Sequence, residues 1–183
     1  MSESLILGVD PGTTIMGFSL LKTAVRKSEL ITLDVVKMTQ LSNQSAKLKK
    51  IFETTLEIIE QYQPTILAIE APFFGKNPQS MLKLGRAQGI VIAASLHKGL
   101  EVFEYSPRKI KQSITGNGSA SKEQVAAMLK NMYPIPETIR YLDATDALAV
   151  AVCHHLQNKI DFGGAKFTGW ESFINQHKDR IIK

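Results

Sequence analysis

An unbroken apolar run that stops at a carboxylate constrains this chain more than any other feature. Leu5-Ile6-Leu7-Gly8-Val9 does not alternate with polar residues, and it ends at Asp10. A strand of that kind is buried on both faces and belongs in the middle of a sheet. The run Thr65-Ile66-Leu67-Ala68-Ile69 ends in the same way, at Glu70. Pro11-Gly12-Thr13-Thr14 is a turn. Residues 16–21 and 30–38 read as two further strands joined through polar residues 22–29, which predicts an antiparallel meander. The period then changes. Leu48, Ile51, Phe52, Thr55, Ile59 and Tyr62 share one helical face, opposite Lys49, Lys50, Glu53, Glu57 and Glu60, and Pro64 ends the helix. A helical crossover makes the strand at 65–69 parallel to the first. Asp10 and Glu70 then meet at the carboxyl edge of the sheet, where open α/β sheets place their sites.

Residues 77–97 predict a long helix that is apolar on more than one side, through Met81, Leu84, Ile90, Val91, Ile92, Ala93, Ala94 and Leu96. Such a helix either lies deep inside or meets a second subunit. Residues 101–105 read as a fifth strand, followed by helices at 107–114 and 121–132. Ser121 caps the second of these, with Gln124 three residues on. Residues 133–136 form a linker, and a last core helix covers 143–157. The expected class is α/β, a mixed five-stranded sheet flanked by helices, occupying residues 1–158. Residues 159–183 form a C-terminal tail. Trp170, Phe173, Ile174, His177 and Ile181 share a face there, so the tail reads as a short docked helix or, given Lys178, Arg180 and Lys183, as a mobile basic segment.

A chain of 183 residues fits one domain with a real core. Lys and Arg outnumber Asp and Glu by 22 to 17, and acids sequestered on cations would leave the remaining surface more basic still. That balance favours a polyanionic partner. The single Cys153 excludes an intramolecular disulfide, fits a reducing cytosol and, among apolar neighbours, reads as a buried structural thiol. The opening MSESLILGVD has neither a cationic region nor a long apolar segment, so no secretory signal is expected. No run is long enough to span a bilayer, and the expected location is cytoplasmic.

Asp143 and Asp146 open the apolar stretch at 147–152, three apart and hence on one helical face. Taken singly, each acid has an ordinary reading. Asp10 is a turn former, Glu70 a solvated strand end, Asp143 an N-cap and Asp146 a first-turn acid. Taken together they repel, and their pKa values should rise. A divalent cation removes that penalty. No His or Cys near them offers zinc ligands, and an all-oxygen set suits hard cations such as Mg²⁺. A pair of such ions can clamp the attacking and leaving oxygens of a phosphodiester.

The segment Ile6-Leu7-Gly8-Val9-Asp10-Pro11-Gly12 resembles the opening of the RuvC Holliday-junction resolvases. So do Ala68-Ile69-Glu70 with Phe73, Leu82-Lys83-Leu84-Gly85-Arg86-Ala87-Gln88-Gly89, and Tyr105 with Lys109-Ile110-Lys111-Gln112. Gly116-Asn117-Gly118-Ser119-Ala120 with Lys122, and Asp143-Ala144-Thr145-Asp146-Ala147-Leu148-Ala149, complete an ordered series over residues 5 to about 155. The resemblance implies a ribonuclease-H-like fold and a homodimer, with helix 77–97 as the interface. It implies an endonuclease of DNA recombination and repair that resolves four-way DNA junctions by paired nicks. Two Mg²⁺ ions per site, with Mn²⁺ as a substitute, would be held by Asp10, Glu70, Asp143 and Asp146. Asp10, on the most central strand, would be the ligand shared by both ions. The products would carry a 5′ phosphate and a 3′ hydroxyl, and a branch-migration complex is an implied partner.

Phe73 and Phe74, directly after Glu70, are either core plugs or aromatics that stack on an unpaired base, with Phe73 the better placed by family position. Lys111 and Lys122 match basic residues near the family site, and Arg108 and Lys109 add charge. Their ordinary reading is a solvated helix face. Gly116 and Gly118 offer backbone N–H groups to phosphate. His154 and His155 read as structural or surface residues rather than ligands. Three other functions compete. An actin-like or sugar-kinase ATP-binding lobe shares the opening motif but needs a second lobe. A junction-binding module with a silent site is at odds with four acids being present. A related nuclease acting on ribosomal RNA precursors or other branched nucleic acids fits the Lys122 segment and the long helix less well.

Overall fold

β1 (Ser4–Asp10) takes the central place that its unbroken apolar run demands. In the computed structural model, which describes residues 3–24, 27–72, 77–137 and 141–160, the sheet order is β3-β2-β1-β4-β5. The flanking strands are β2 (Ile15–Thr23), β3 (Ser28–Lys37), β4 (Ile66–Glu70) and β5 (Glu101–Tyr105). β1, β2 and β3 form the expected antiparallel meander, with strands a few residues longer and a link correspondingly shorter than the polar run predicted. β4 is parallel to β1 and β5 parallel to β4, as the crossover argument requires. Segment 159–183 falls almost wholly outside the described residues, so the tail helix around Trp170 does too.

α1 (Gln44–Tyr62) is the crossover from β3 to β4. Asn43 caps it by accepting from the Ala46 N–H, and Gln63 closes it in the left-handed conformation, at φ 53°. Its buried face is Ile51, Thr54, Thr55, Ile58 and Ile59. This corrects the sequence reading, which put Phe52 on that face. Phe52 is exposed, and Thr54 takes the inward position because α1 packs against α2 (Pro78–His97) as well as the sheet. α2 buries Ala87, Gln88, Val91, Ala94 and Ser95 and leaves Leu82, Leu84 and Leu96 exposed. Its apolar surplus is therefore not absorbed among the described residues.

The opposite face of the sheet carries α3 (Pro107–Thr115), α4 (Lys122–Met132) and α5 (Leu142–Ile160). Ser121 and Gln124 form the predicted capping box. Asp143 lies within the first turn of α5 rather than at its cap. Alternation along the strands divides the core cleanly. Ile6 and Ala68 pack with Leu148, Val152 and the rest of the α5 side, while Leu7, Val9, Leu67 and Ile69 pack with α1 and α2.

Two glycines let α5 lie directly on the strands. A Cβ on Gly8 would stand 2.2 Å from the Ala147 carbonyl oxygen, and one on Gly17 would stand 1.9 Å from that of Asp143. Ser19, paired with Gly8 across the ladder, donates its hydroxyl to the Ala147 carbonyl at 3.0 Å.

Candidate active site

β1 and β4 run in register through Val9 and Ile69, so Asp10 and Glu70 stand side by side just past the last paired couple. Strand alternation turns both toward the α5 face, since Asp10 follows Ile6 and Gly8 by steps of two and Glu70 follows Ile66 and Ala68. Gly17 is the ladder partner of Asp10, and the Asp143 carbonyl rests where its side chain would be. The first turn of α5 is thereby brought over the end of β1. Asp143 and Asp146 arrive beside Asp10 because a strand residue lacks a Cβ, which the acidic motifs do not reveal. The signal was present, for a glycine inside an apolar strand marks close approach of another backbone.

The electrostatics show how tightly these acids are grouped. Burial, then the charges of Glu70 and Asp146, push Asp10 up to about 7, with Lys122 opposing and Asp143 adding to the rise. Burial, then Asp146, raises Glu70, against the pull of Lys122 and Lys111. Burial raises Asp146 too, although Lys122 opposes through its hydrogen bond and its charge. Lys122 forms an ion pair with Asp146 from the first turn of α4. Burial works to lower the Lys122 ammonium, and the hydrogen bond and charge of Asp146, with Asp10 and Glu70 behind, raise it on balance. The predicted mutual repulsion is thus present at Asp10, Glu70 and Asp146.

The donor set is anionic and all oxygen, which fits a hard divalent cation. Among the described residues, no three His, Cys, Asp or Glu side chains already stand close enough to enclose one ion. Asp146 is turned to Lys122 instead. The cluster is a shared field of repelling carboxylates, and a cation would draw their side chains together in relieving it.

Lys111 is half-buried on α3, with its charge acting on Glu70 and Asp146. Arg108 is exposed, and its side chain lies over Gly118, where a Cβ would stand 2.7 Å from Arg108 Cγ. The Gly116 N–H caps α3 by donating to the Gln112 carbonyl, so it is not the phosphate donor the sequence offered. Phe73 and Phe74 lie outside the described residues. The sequence reads His154 as a structural or surface residue rather than a ligand, and the structural reading holds. The structure buries it on α5, where its Nδ1 is 2.8 Å from the Tyr105 hydroxyl.

The chain is similar to known proteins along most of its length. The model of the family described as crossover junction endodeoxyribonuclease RuvC matches residues 6–154. The crossover junction endodeoxyribonuclease RuvC of Christiangramia forsetii is 51% identical over 180 residues, covering 98% of this chain and 94% of that protein. That of Cytophaga hutchinsonii is 51% identical over 179 residues, covering 98% and 88%. These alignments therefore run past residue 155 and take in most of the tail. Among solved structures, T. thermophilus RuvC in complex with a Holliday junction substrate superposes with a TM-score of 0.78 at 30% identity, over 86% of this chain and 96% of that one. The fold is ribonuclease-H-like. With a family model spanning the sheet and all five helices, and relatives half identical along nearly the whole length, the chain belongs to the RuvC family of crossover junction endodeoxyribonucleases.

Proposed function

We propose that Asp10, Glu70, Asp143 and Asp146 are the catalytic carboxylates with which this family member nicks four-way DNA junctions, and that they hold two Mg²⁺ ions, for which Mn²⁺ substitutes. Nucleases of the family are metal dependent. The observation that supports the assignment is the repulsion stored at the carboxyl edge of β1 and β4, where burial and neighbouring acids push Asp10 up to about 7. When bound, the cations supply Lewis-acid charge at the scissile phosphate and lower the pKa of the attacking water. The protein's own residues do the placing. β1 holds Asp10 between Glu70 on one side and the α5 pair on the other, so Asp10 would be the carboxylate best placed to be shared if two ions were bound. Lys122 and Lys111 hold positive charge against the cluster, where each can meet a phosphate oxygen.

Paired nicks need two sites related by a twofold axis, which a symmetric dimer supplies. α2 is the proposed interface. Leu82, Leu84 and Leu96 are exposed on it, and Gly85 and Gly89 face open space that a second helix can approach closely. Phe73, with Phe74 beside it, is assigned to base stacking at the crossover, and Arg108 to backbone contact. Residues 1–158 are the nuclease unit, and 159–183 a tail that carries no assigned role. No described helix is long and apolar enough to cross a membrane. We place the enzyme in the cytoplasm, alongside a branch-migration complex. Among the described residues, nothing in the site favours nucleotide binding or ribosomal RNA processing.

The test uses a synthetic four-way junction and a linear duplex, each with and without Mg²⁺. The native protein should cut only the junction, and only with metal. Asp10→Asn should bind the junction with unchanged affinity and cut it at least about a thousandfold more slowly, the scale lost when a central catalytic group is removed. Cleavage by that variant at the native rate would remove Asp10 from the site.

A further inference from the structure

α5 crosses the sheet obliquely, and its fixings are unevenly placed. Two lie on β1 and β2, where Gly17 receives the Asp143 carbonyl and Gly8 with Ser19 receives that of Ala147. Both are near the start of the helix. α3 and α4 also pack along α5, but neither ties its later turns to the far edge of the sheet. The third fixing lies at that far edge. His154, eight residues beyond Asp146 and so about 12 Å further along the axis, meets β5. Its ring sits 4.5 Å from that of Phe103 and makes an edge contact with Tyr105 at 5.9 Å, centroid to centroid. Its Nδ1 shares a 2.8 Å hydrogen bond with the Tyr105 hydroxyl.

Tyr105 is also the ladder partner of Glu70. Its carbonyl accepts from the Ala71 N–H at 2.9 Å, which ties the backbone just after Glu70 to the same residue. One side chain thus connects the strand end that carries Glu70 with the helix that carries Asp143 and Asp146. We infer that the Tyr105–His154 hydrogen bond is a positioning contact that sets the crossing angle of α5, and so the reach of Asp143 and Asp146 toward Glu70 across the metal site.

Both partners hold their form over the working pH range. Burial, then the neighbouring His155, lowers His154 to about 4, and burial, then Cys153, raises Tyr105 to about 12. A neutral imidazole facing a neutral phenol keeps the bond intact whichever nitrogen carries the proton. The role is not catalytic. Tyr105 and His154 are placed to act through the carboxylates.

The inference rests on the carboxylate assignment above, and the test separates the two. Mn²⁺ binding is measured on the full chain without DNA, for the native protein and for Asp10→Asn, Tyr105→Phe, His154→Leu and His154→Gln. Thermal melts and junction affinity are recorded in parallel. Tyr105→Phe and His154→Leu should each weaken Mn²⁺ binding about 3- to 10-fold, the low end of what lost support behind metal ligands costs. Junction affinity should stay within about twofold, since no DNA-contacting group has changed. His154→Gln, whose side chain can still pair with the phenol, should recover part of the loss. The Tyr105→Phe/His154→Leu double variant should be no weaker than His154→Leu alone, because that change already removes the bond together with the ring contacts. Unchanged Mn²⁺ affinity in Tyr105→Phe and His154→Leu, with or without a lower melting temperature, overturns the inference and leaves a purely structural contact. If the native protein and Asp10→Asn bind Mn²⁺ alike, the carboxylate assignment itself has failed.

Discussion

Asp10 is held well above the ordinary carboxylate range, first by burial and then by the charges of Glu70 and Asp146. Its pKa of about 7 against 3.8 means that the folded state holds the proton more tightly than the unfolded state. The stabilisation from that proton is complete below about 4 and is lost as the pH rises through about 7. His154 has the opposite sign. Its pKa falls from 6.5 to about 4, so its contribution is complete above 6.5 and is lost as the pH drops toward 4. The two oppose each other over most of the same window, and substitution separates them. In a chelating buffer at pH 8, Asp10→Asn should melt higher than the native protein, on the order of a few degrees. That gap should close as the pH is lowered to about 4, where the protonated carboxyl and the amide are both neutral. Melting curves taken across the range check this. A gap that does not change with pH would mean that Asp10 is already ionised without strain.

At the scale of elements, the decisive contact is α5 against β1 and β2. Gly17→Ala would put a Cβ 1.9 Å from the Asp143 carbonyl oxygen, so the first turn of α5 must lift off the strand. Urea denaturation should show a loss of about 1–3 kcal/mol, the usual cost of overpacking, and cleavage should fall because Asp143 and Asp146 move with the turn. Unchanged stability would show that the helix gives way without cost. The elements themselves were largely legible. The apolar runs ending at Asp10 and Glu70 located β1 and β4, and Ser121 with Gln124 located the start of α4. The buried face of α1 was not. Thr55 turns its hydroxyl to the Ile51 carbonyl at 2.7 Å and packs inward as a small apolar group. Thr54 is buried beside it with its hydroxyl unpaired among the described residues, while Phe52 turns out, because helical periodicity cannot say which neighbouring helix will claim a face.

For the whole molecule, the exposed apolar surface of α2 is where the proposed dimer would form. Replacing both Leu82 and Leu96, which are 64% and 58% exposed, by Glu should shift the protein from dimer to monomer in sedimentation. The same variant should turn paired nicks into single ones, while the melting temperature of the monomer fold barely changes. A dimer that survives both charges would move the interface elsewhere. Local pattern alone determined the order of strands and helices, the parallel pairing of β1 with β4, and the delivery of two acids to one sheet edge. It did so because burial on both faces and handed crossovers leave few alternatives. Tertiary structure alone decided which distant groups meet. Ser19 finds the Ala147 carbonyl across 128 residues, Lys122 pairs with Asp146, and Tyr105 reaches His154. Those meetings depend on how closely a helix backbone can approach a strand, and that distance is set by the missing side chains of Gly8 and Gly17, which no hydrophobic period encodes.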